Sequence, residues 1–465
     1  MSEANSIKKI LNEEKVDEWD IYIEKSEENE IQLRNFNVEI VRGPVTNFGY
    51  AVRTIKRKKD KTGIGIGTGS SLEPTPIRRC LKTALIGANI TEFPGYAMPK
   101  PKKYPSVKIA DPKIVSNAES VVKDKVEELL SLLKESKTIL PTFGKIRTYN
   151  ISTIINNSEG VEAEKQETFF YVELALKAGQ KGKLAEYWPT IFVRRAEDIP
   201  LNQQVPKWIR LAEDALQAKV PKTMKTTVIF TPHVLSDILP NTIGFHSLGS
   251  SVYKELSRFK KGKKIGSREL TIYDDGLYNY ALGSSPFDDE GAPQSKTTLI
   301  EKGVYKDFLY DMMYATIMNA KSTGNGQKLP PIGLALSQVD LKYSSLPSSQ
   351  PTNIVVEAGN MSLDEMIADT KEGIYVEQFS AMGSDSFTTS FGSEIRNAYL
   401  IEKGELSTPL KGGQISGFVL DSQNIKGEKI NGLLSQISAV TKKTEIANRC
   451  VTPYMRFDEV QVAGK

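Results

Sequence analysis

Residues 63–70 read GIGIGTGS, and whether they form a phosphate loop or a strand decides the fold. A dinucleotide-binding fingerprint needs a strand before its glycines and a helix starting within them. Here a lysine-rich turn, KRKKDKT at 56–62, comes first, and the glycines recur every second residue with Ile64 and Ile66 between them. That is a strand period. The segment therefore reads as the second arm of a hairpin whose first arm is Tyr50 to Ile55 and whose charged tip is solvated. A helix follows only later, from about Pro76 to Ala88, with Ile77, Leu81, Ala84 and Leu85 on one face.

Outward from this hairpin, a helix-like stretch runs through Glu14, with strand-like runs at Ile21 to Lys25 and Ile31 to Val41. The proline-rich segment 94–106 reads as a linker or surface loop. Val115, Val122, Val126, Leu129, Leu130 and Leu133 recur at helical spacing through Lys134. Strands return at Ile146 to Asn156 and Glu167 to Leu176, around the turn NNSEG, and Ile209 to Ala218 reads as a helix. Strands, two helices and strands again give α+β rather than alternating βαβ. A boundary is expected at AKVPKTMKT, 218–226, giving a domain over 1–220 and a strand-rich one over 225–465. In the second, glycine-marked turns fall at 273–276, 288–291, 300–303 and 401–404, and helices are expected near 232–254, 311–320, 363–370 and 432–440.

The chain is 39% hydrophobic, enough for sizeable cores at 465 residues. Its 61 basic and 57 acidic residues nearly balance, which argues against a dedicated nucleic-acid protein. No stretch reaches the roughly 18 apolar residues of a membrane span. MSEANSIKKILNEEK mixes charge signs without an apolar stretch and does not read as a signal peptide. Cys80 and Cys450 are far apart and form neither a disulfide framework nor a metal knuckle. A cytoplasmic protein is expected.

The two histidines, His233 and His246, are too far apart for a zinc-protease helix, and neither is followed by glutamate. His246, in IGFHSLGSS, reads as a packed or capping residue; a zinc site of His246, Cys450 and carboxylates has no spacing to support it. Asp274-Asp275 and Asp288-Asp289-Glu290 are the densest carboxylates beside glycines. They could bind a hard cation or act as acid and base, but spacing favours turn-building. There is no GxSxG elbow, and lone cysteines are more often buried and inert. FKKGKK, after Arg258, reads as a solvated loop.

Residues 271–311 read TIYDDGLYNYALGSSPFDDEGAPQSKTTLIEKGVYKDFLYD. This stretch resembles the TldD/PmbA family, once called modulators of DNA gyrase and now regarded as peptidases. Ser285 to Gly291 matches the family's PFDxEG-type block, Leu299 to Leu309 the segment after it, and Lys321 to Gly326 its STG block. Asn397 to Gly417 and the closing TPYMRFDEVQVAGK are similar to later family blocks, and Ile155 to Gly160 to its NS-x-G turn. In the family's catalytic branch, HExxxH and a distant cysteine bind zinc; the PmbA (TldE)-like branch lacks that motif. Residues 243–253, IGFHSLGSSVY, look like the latter, while Cys450 falls near the place of the zinc cysteine. Thr389-Ser390 stands where both branches tend to carry Gly-Asp.

The resemblance implies an α+β fold, with an N-terminal α/β domain followed by a strand-rich, barrel-like C-terminal domain. It implies a non-catalytic subunit of a TldD/TldE-type zinc metalloprotease that handles unfolded peptides. No catalytic or metal-binding residue and no cofactor is expected in this chain; zinc is expected on a TldD-like partner, or else the chain is a homodimer. By family match, the residues expected to touch substrate are Phe287, Asp288, Glu290, Gly291, Thr323, Gly324, His246 and Cys450. The rival readings are a stand-alone peptidase using Cys450 or the Asp288–Glu290 cluster, and a homodimeric peptide-binding protein.

Overall fold

The computed structural model of the chain describes residues 2–180, 182–329, 342–380 and 383–465. Helix α1 (Ser2–Glu13) leads into β1 (Trp19–Arg34) and β2 (Asn37–Arg57), and β3 (Thr62–Gly69) folds back on β2. Helices α2 (Pro74–Ile90) and α3 (Pro112–Lys134) follow, then β4 (Ile139–Asn157), β5 (Glu162–Gln180), β6 (Lys183–Tyr187), β7 (Thr190–Val193) and α4 (Leu201–Asp214). The strands form one antiparallel sheet ordered β3-β2-β1-β4-β5-β6, with β7 also on β5.

The GIGIGTGS segment is a strand, and its glycines have a packing cause. A Cβ on Gly63, Gly65 or Gly67 would lie 1.8, 1.9 or 2.0 Å from the carbonyl oxygens of Ala88, Ala84 and Cys80 on α2. Only a backbone without side chains lets the helix lie this close to the strand.

Period-two alternation divides the sheet into two faces. Ile31, Leu33, Ile146, Val172 and Leu174 pack under α3 and α4, and Ile21, Ile23 and Val52 under α1 and α2. The opposite face meets the rest of the chain: Tyr22, Ile155 and Ala163 pack on Phe287, and Tyr149, Ile151 and Phe169 on Leu282.

From residue 224 onward the chain builds a second, eleven-stranded sheet. It begins with β8 (Met224–Phe230), β9 (Ile272–Asp275), β10 (Lys296–Glu301), β11 (Val304–Tyr305) and β14 (Ile354–Val356), and its other six strands lie between residues 372 and 463. Between β8 and β9 lie α5 (Pro232–Leu239), α6 (Phe245–Ser247) and α7 (Gly249–Tyr253); α8 (Met312–Ile317) and a two-residue ribbon, β12 (Gly326–Gln327) with β13 (Ser348–Ser349), come before β14. Then follow α9 (Leu363–Asp369), β15 (Glu372–Phe379), β16 (Ser390–Glu402), β17 (Glu405–Leu410) and β18 (Gln414–Phe418). A small ribbon, β19 (Ser422–Gln423) with β20 (Lys429–Ile430), precedes α10 (Leu433–Gln436), β21 (Ile437–Ala447) and β22 (Cys450–Ala463). Because β22 pairs with both β18 and β8, the path β22-β18-β16-β15-β8 closes into a five-stranded barrel. Phe230, Val376, Ile395, Ile415, Met455 and Phe457 fill its core. The architecture is α+β, as read.

Several local expectations are corrected. Ile31 to Val41 is not one strand, because Asn35 and Phe36 turn the chain at φ 49° and 66°. The helix placed at 209–218 runs over Leu201–Asp214 and contains Pro206 six residues in, past the first turn where proline is readily tolerated. Residues 232–254 are not one helix: a π-turn at Pro240–Gly244 and an extended Leu248 break it. Of 432–440, only Leu433–Gln436 is helical, and the branched residues after it enter β21. Val115 is 38% exposed while Ile114 is buried, because non-helical Asn117 (φ −159°, ψ 78°) interrupts α3 after its first turn; Val122, Val126, Leu129 and Leu133 are buried on the face expected. The proline-rich 94–106 segment has little regular structure, yet Tyr96 and Met98 are buried.

Candidate functional site

Six of the eight expected substrate-contacting residues come together in a buried seam between the N-terminal sheet and the second sheet's loops. The SPFDDEG loop is wound around Asp288. Its carboxylate accepts the N–H groups of Glu290 at 3.0 Å, Ala292 at 2.9 Å and Gly326 at 2.9 Å. Burial, with Glu290 second, pushes its pKa up, while these three donors favour the charged form. Asp289 accepts the Lys328 N–H at 2.8 Å and lies 3.7 Å from both Lys165 and Lys342. Burial would raise its pKa, but the lysines hold it at about 2.

Glu290 accepts the Met312 N–H at 2.8 Å and faces Arg53 at 3.4 Å. Burial is the main cause that lifts it to about 7, against the pull of Arg53. Phe287 lies 4.9 Å from the Tyr104 ring. Gly291, at φ 88°, has its carbonyl bonded by the Tyr104 hydroxyl. Thr323 donates to Asn325 and accepts the Tyr310 N–H at 2.8 Å; a Cβ on Gly324 would lie 2.3 Å from the Pro293 oxygen. Asn325 in turn bonds Asp274, which also holds the Thr352 N–H and hydroxyl.

Sequence reading missed the other half of this seam. Arg194 is 1% exposed, bonds Glu167 at 2.7 Å and spends its remaining donors on the carbonyls of Ile109, Ala281, Leu282 and Ser284. Arg53 bonds Asp20 and the Tyr96 hydroxyl as well as Glu290. Glu24 accepts the Lys342 N–H at 2.9 Å, and burial lifts its pKa to about 7. Glu24, Arg53 and Glu167 lie on three different strands and Arg194 just past a fourth, so no local motif marks them. The available signal was charge inside a strand: Lys165 and Glu167 share the face of β5 that carries Ala163 and Phe169.

His246 and Cys450 lie outside this seam. His246 is fully buried, and its Nδ1 accepts the Arg258 N–H at 3.2 Å. Burial, then the Arg258 charge, lowers its pKa to about 4, so the ring is neutral with its proton on Nε2. Among the described residues that Nε2 has no hydrogen-bond partner, and the imidazole centroid lies 5.2 and 5.4 Å from those of Phe245 and Phe259. Cys450 is 0% exposed at the start of β22, and burial, with Asp237 of α5 second, pushes its thiol well above its ordinary value. Such a thiol is inert. Among the described residues no group of three or more His, Cys, Asp or Glu side chains converges as a metal would require. The donor set around Cys450 and His246 therefore does not fit a zinc ion. His233, in the first turn of α5, lines a groove of about 430 Å3 with Lys207 and Glu377.

Thr389 is buried at φ 63°, a conformation that disfavours branched residues. It is held by hydrogen bonds from Arg258 and from the Leu420 N–H.

The segment 240–251, with Pro351, Tyr314 and Arg449 opposite, borders a cleft of about 490 Å3. It is the accessible counterpart to the sealed seam. No helix among the described residues is long and apolar enough to cross a membrane.

A sheet backed by helices on one face and locked by buried charges on the other to the loops of a second sheet, part of which closes into a five-stranded barrel, is the architecture of a PmbA/TldD-type protein. TldE from Thermococcus kodakarensis has this fold: it superposes with a TM-score of 0.83 at 22% identity, covering 99% of this chain and 100% of that one. The PmbA/TldA metallopeptidase C-terminal domain profile matches residues 223–464. A metalloprotease of Methanocaldococcus jannaschii is 28% identical over 96% of this chain and 94% of its own. A TldD metalloprotease homologue of Buchnera aphidicola is 34% identical over 38% of this chain and 33% of its own. The chain belongs to the TldD/PmbA family.

Proposed function

We propose that this chain is a non-catalytic subunit of a TldD/TldE-type metalloprotease, pairing with a TldD-like chain that carries zinc and helping to hold an unfolded peptide. The observation that carries the reading is His246: in the segment resembling the branch without HExxxH, the one buried histidine is spent on the Arg258 N–H and packed between phenylalanines. The peptide is held as an added strand through main-chain hydrogen bonds, which asks no side-chain chemistry of this subunit. The stand-alone peptidase reading fares worse on geometry. Cys450 is sealed, and Asp288 and Glu290 are committed to backbone N–H groups in the seam.

The test is co-purification from native cells. A stable complex with an HExxxH-bearing chain is expected. Recovery of the chain alone, or only with its own copies, would reject the subunit reading in favour of a homodimeric peptide-binding protein.

A further inference from the structure

The groove of about 430 Å3 beside His233 is bordered by two strand edges, one from each sheet. On the N-terminal side stands β7, whose partner is β5. The Leu174 N–H bonds the Pro189 carbonyl, so Pro189, Ile191 and Val193 aim their main-chain groups at β5. By the alternation of an antiparallel ladder, Thr190 and Phe192 aim theirs the other way, to the groove they line. On the opposite side stands the end of β21. The Ile354 N–H bonds the Arg449 carbonyl, which makes Cys450 and Thr452 the residues of β22 that face β21, answered there by Ala447 and Glu445. Ile446 therefore presents its N–H and C=O away from β22, to the groove. Among the described residues no hydrogen bond engages the outward groups of Thr190, Phe192 and Ile446. A strand edge with unspent N–H and C=O groups is a template for another strand.

The walls suit a neutral, apolar chain. Tyr187, Phe192, Trp208 and Tyr454 line the groove. Its charges are answered in place: Lys207 pairs with Glu377 at 2.5 Å, Asp198 with Arg195 at 2.5 Å and Lys443 with Glu445 at 3.3 Å. Gln378 adds an acceptor that lacks a donor. Its Nε2 bonds the Trp188 carbonyl at 3.3 Å, while its buried Oε1 has no partner among the described residues. The volume lies within the range of ligand sites. An extended chain turns its main-chain groups to both sides and its side chains to alternate faces, so one strand can meet both edges and the aromatic wall together.

We infer that an extended peptide with apolar side chains at alternate positions lies along β7 in this groove, its main chain bonded to Thr190 and Phe192, with Ile446 facing it from the second sheet. The inference rests on the peptide-holding reading above and adds which edge of this subunit takes the peptide.

The full chain is titrated by fluorescence anisotropy with a labelled unfolded peptide of alternating apolar and polar residues, and with two forms of it N-methylated at the odd or at the even positions. N-methylation removes main-chain donors and leaves the side chains as they are. The form methylated at the positions that face β7 should bind about tenfold more weakly, the scale of two lost main-chain hydrogen bonds. Loss in both forms supports the inference too, with the Ile446 edge bonded as well. Thr190→Pro deletes an N–H that the β5 ladder does not use, and should weaken the unmodified peptide to a similar degree. If that variant does not fold, a benzophenone-bearing form of the peptide locates the site on the unaltered chain: cross-links should fall on residues 189–193 and 443–448. Equal binding of all three forms, unchanged binding by folded Thr190→Pro, or cross-links on the 240–251 cleft instead overturns the inference while leaving peptide binding intact. No binding of any form overturns this inference and the peptide-holding reading together.

Discussion

The seam and the cleft use the same residue types to opposite ends. In the seam, Arg53, Arg194, Asp288, Asp289 and Glu290 are buried, and each is answered by a partner of the chain's own. The cleft lining, among the described residues, carries no acid: Lys254 is exposed there, and Arg449 borders both the cleft and the seam, where it neighbours Asp288 and Asp289. The difference separates scaffold from function within one family signature. The motif-dense stretch SPFDDEG is a clamp between the helix-backed sheet and the loops of the second sheet, while the cleft is lined by residues at inconspicuous positions.

The strongest attack on the comparison is to break the clamp. Arg194→Ala removes one side of a buried ion pair and leaves Glu167 and the carbonyls of Leu282 and Ser284 without their guanidinium donor, which should cost about 3–5 kcal/mol. Denaturant unfolding would show it. A loss under about 1 kcal/mol, no more than an average substitution, would mean that the seam is not what joins the two sheets.

Gly65→Ala tests the packing that supports the clamp from the helical side. Its Cβ would fall 1.9 Å from the Ala84 oxygen. Forcing α2 away should cost about 1–3 kcal/mol, read as a lower thermal midpoint.

Proton linkage gives a smaller, signed effect. Glu24 and Glu290 sit at about 7 when folded, against an ordinary 4.5. The folded chain therefore binds more protons than the unfolded one between these values. Stability is full below about 4.5 and falls as pH rises to about 7. Asp289 and Glu167, held at about 2, act the other way: their contribution is present above the ordinary carboxylate range and is lost as pH falls toward 2. Midpoints measured across pH should peak in the weakly acidic range, and Glu290→Gln should flatten the decline toward neutrality by a few degrees.

At the small end, Lys254→Gln should move stability by less than about 0.5 kcal/mol, because its side chain is exposed in the cleft wall. A large loss would place Lys254 in the scaffold and erase the contrast.

The α+β class and the strand at 63–70 were legible because glycine at period two, flanked by a lysine-rich tip, leaves few alternatives. Where tertiary contacts overrode local signals, reading failed: Asn35 and Phe36 turn without glycine or proline, and Pro206 lies within α4. The order of family blocks located the Asp288 loop, but spacing cannot tell a solvated carboxylate from one buried under three backbone N–H groups. Arg449 was invisible for a related reason: only the fold places it beside Asp288, Asp289 and Glu167 at the junction of seam and cleft.

The central claim is that this chain contributes shape and binding but not hydrolysis. The direct measurement takes the pure full-length chain, determines its zinc content, and follows cleavage of an unfolded peptide with and without a chelator. The expected result is no stoichiometric zinc and no cleavage, with activity appearing only on addition of an HExxxH-bearing partner. Chelator-sensitive cleavage by the pure chain would contradict the account.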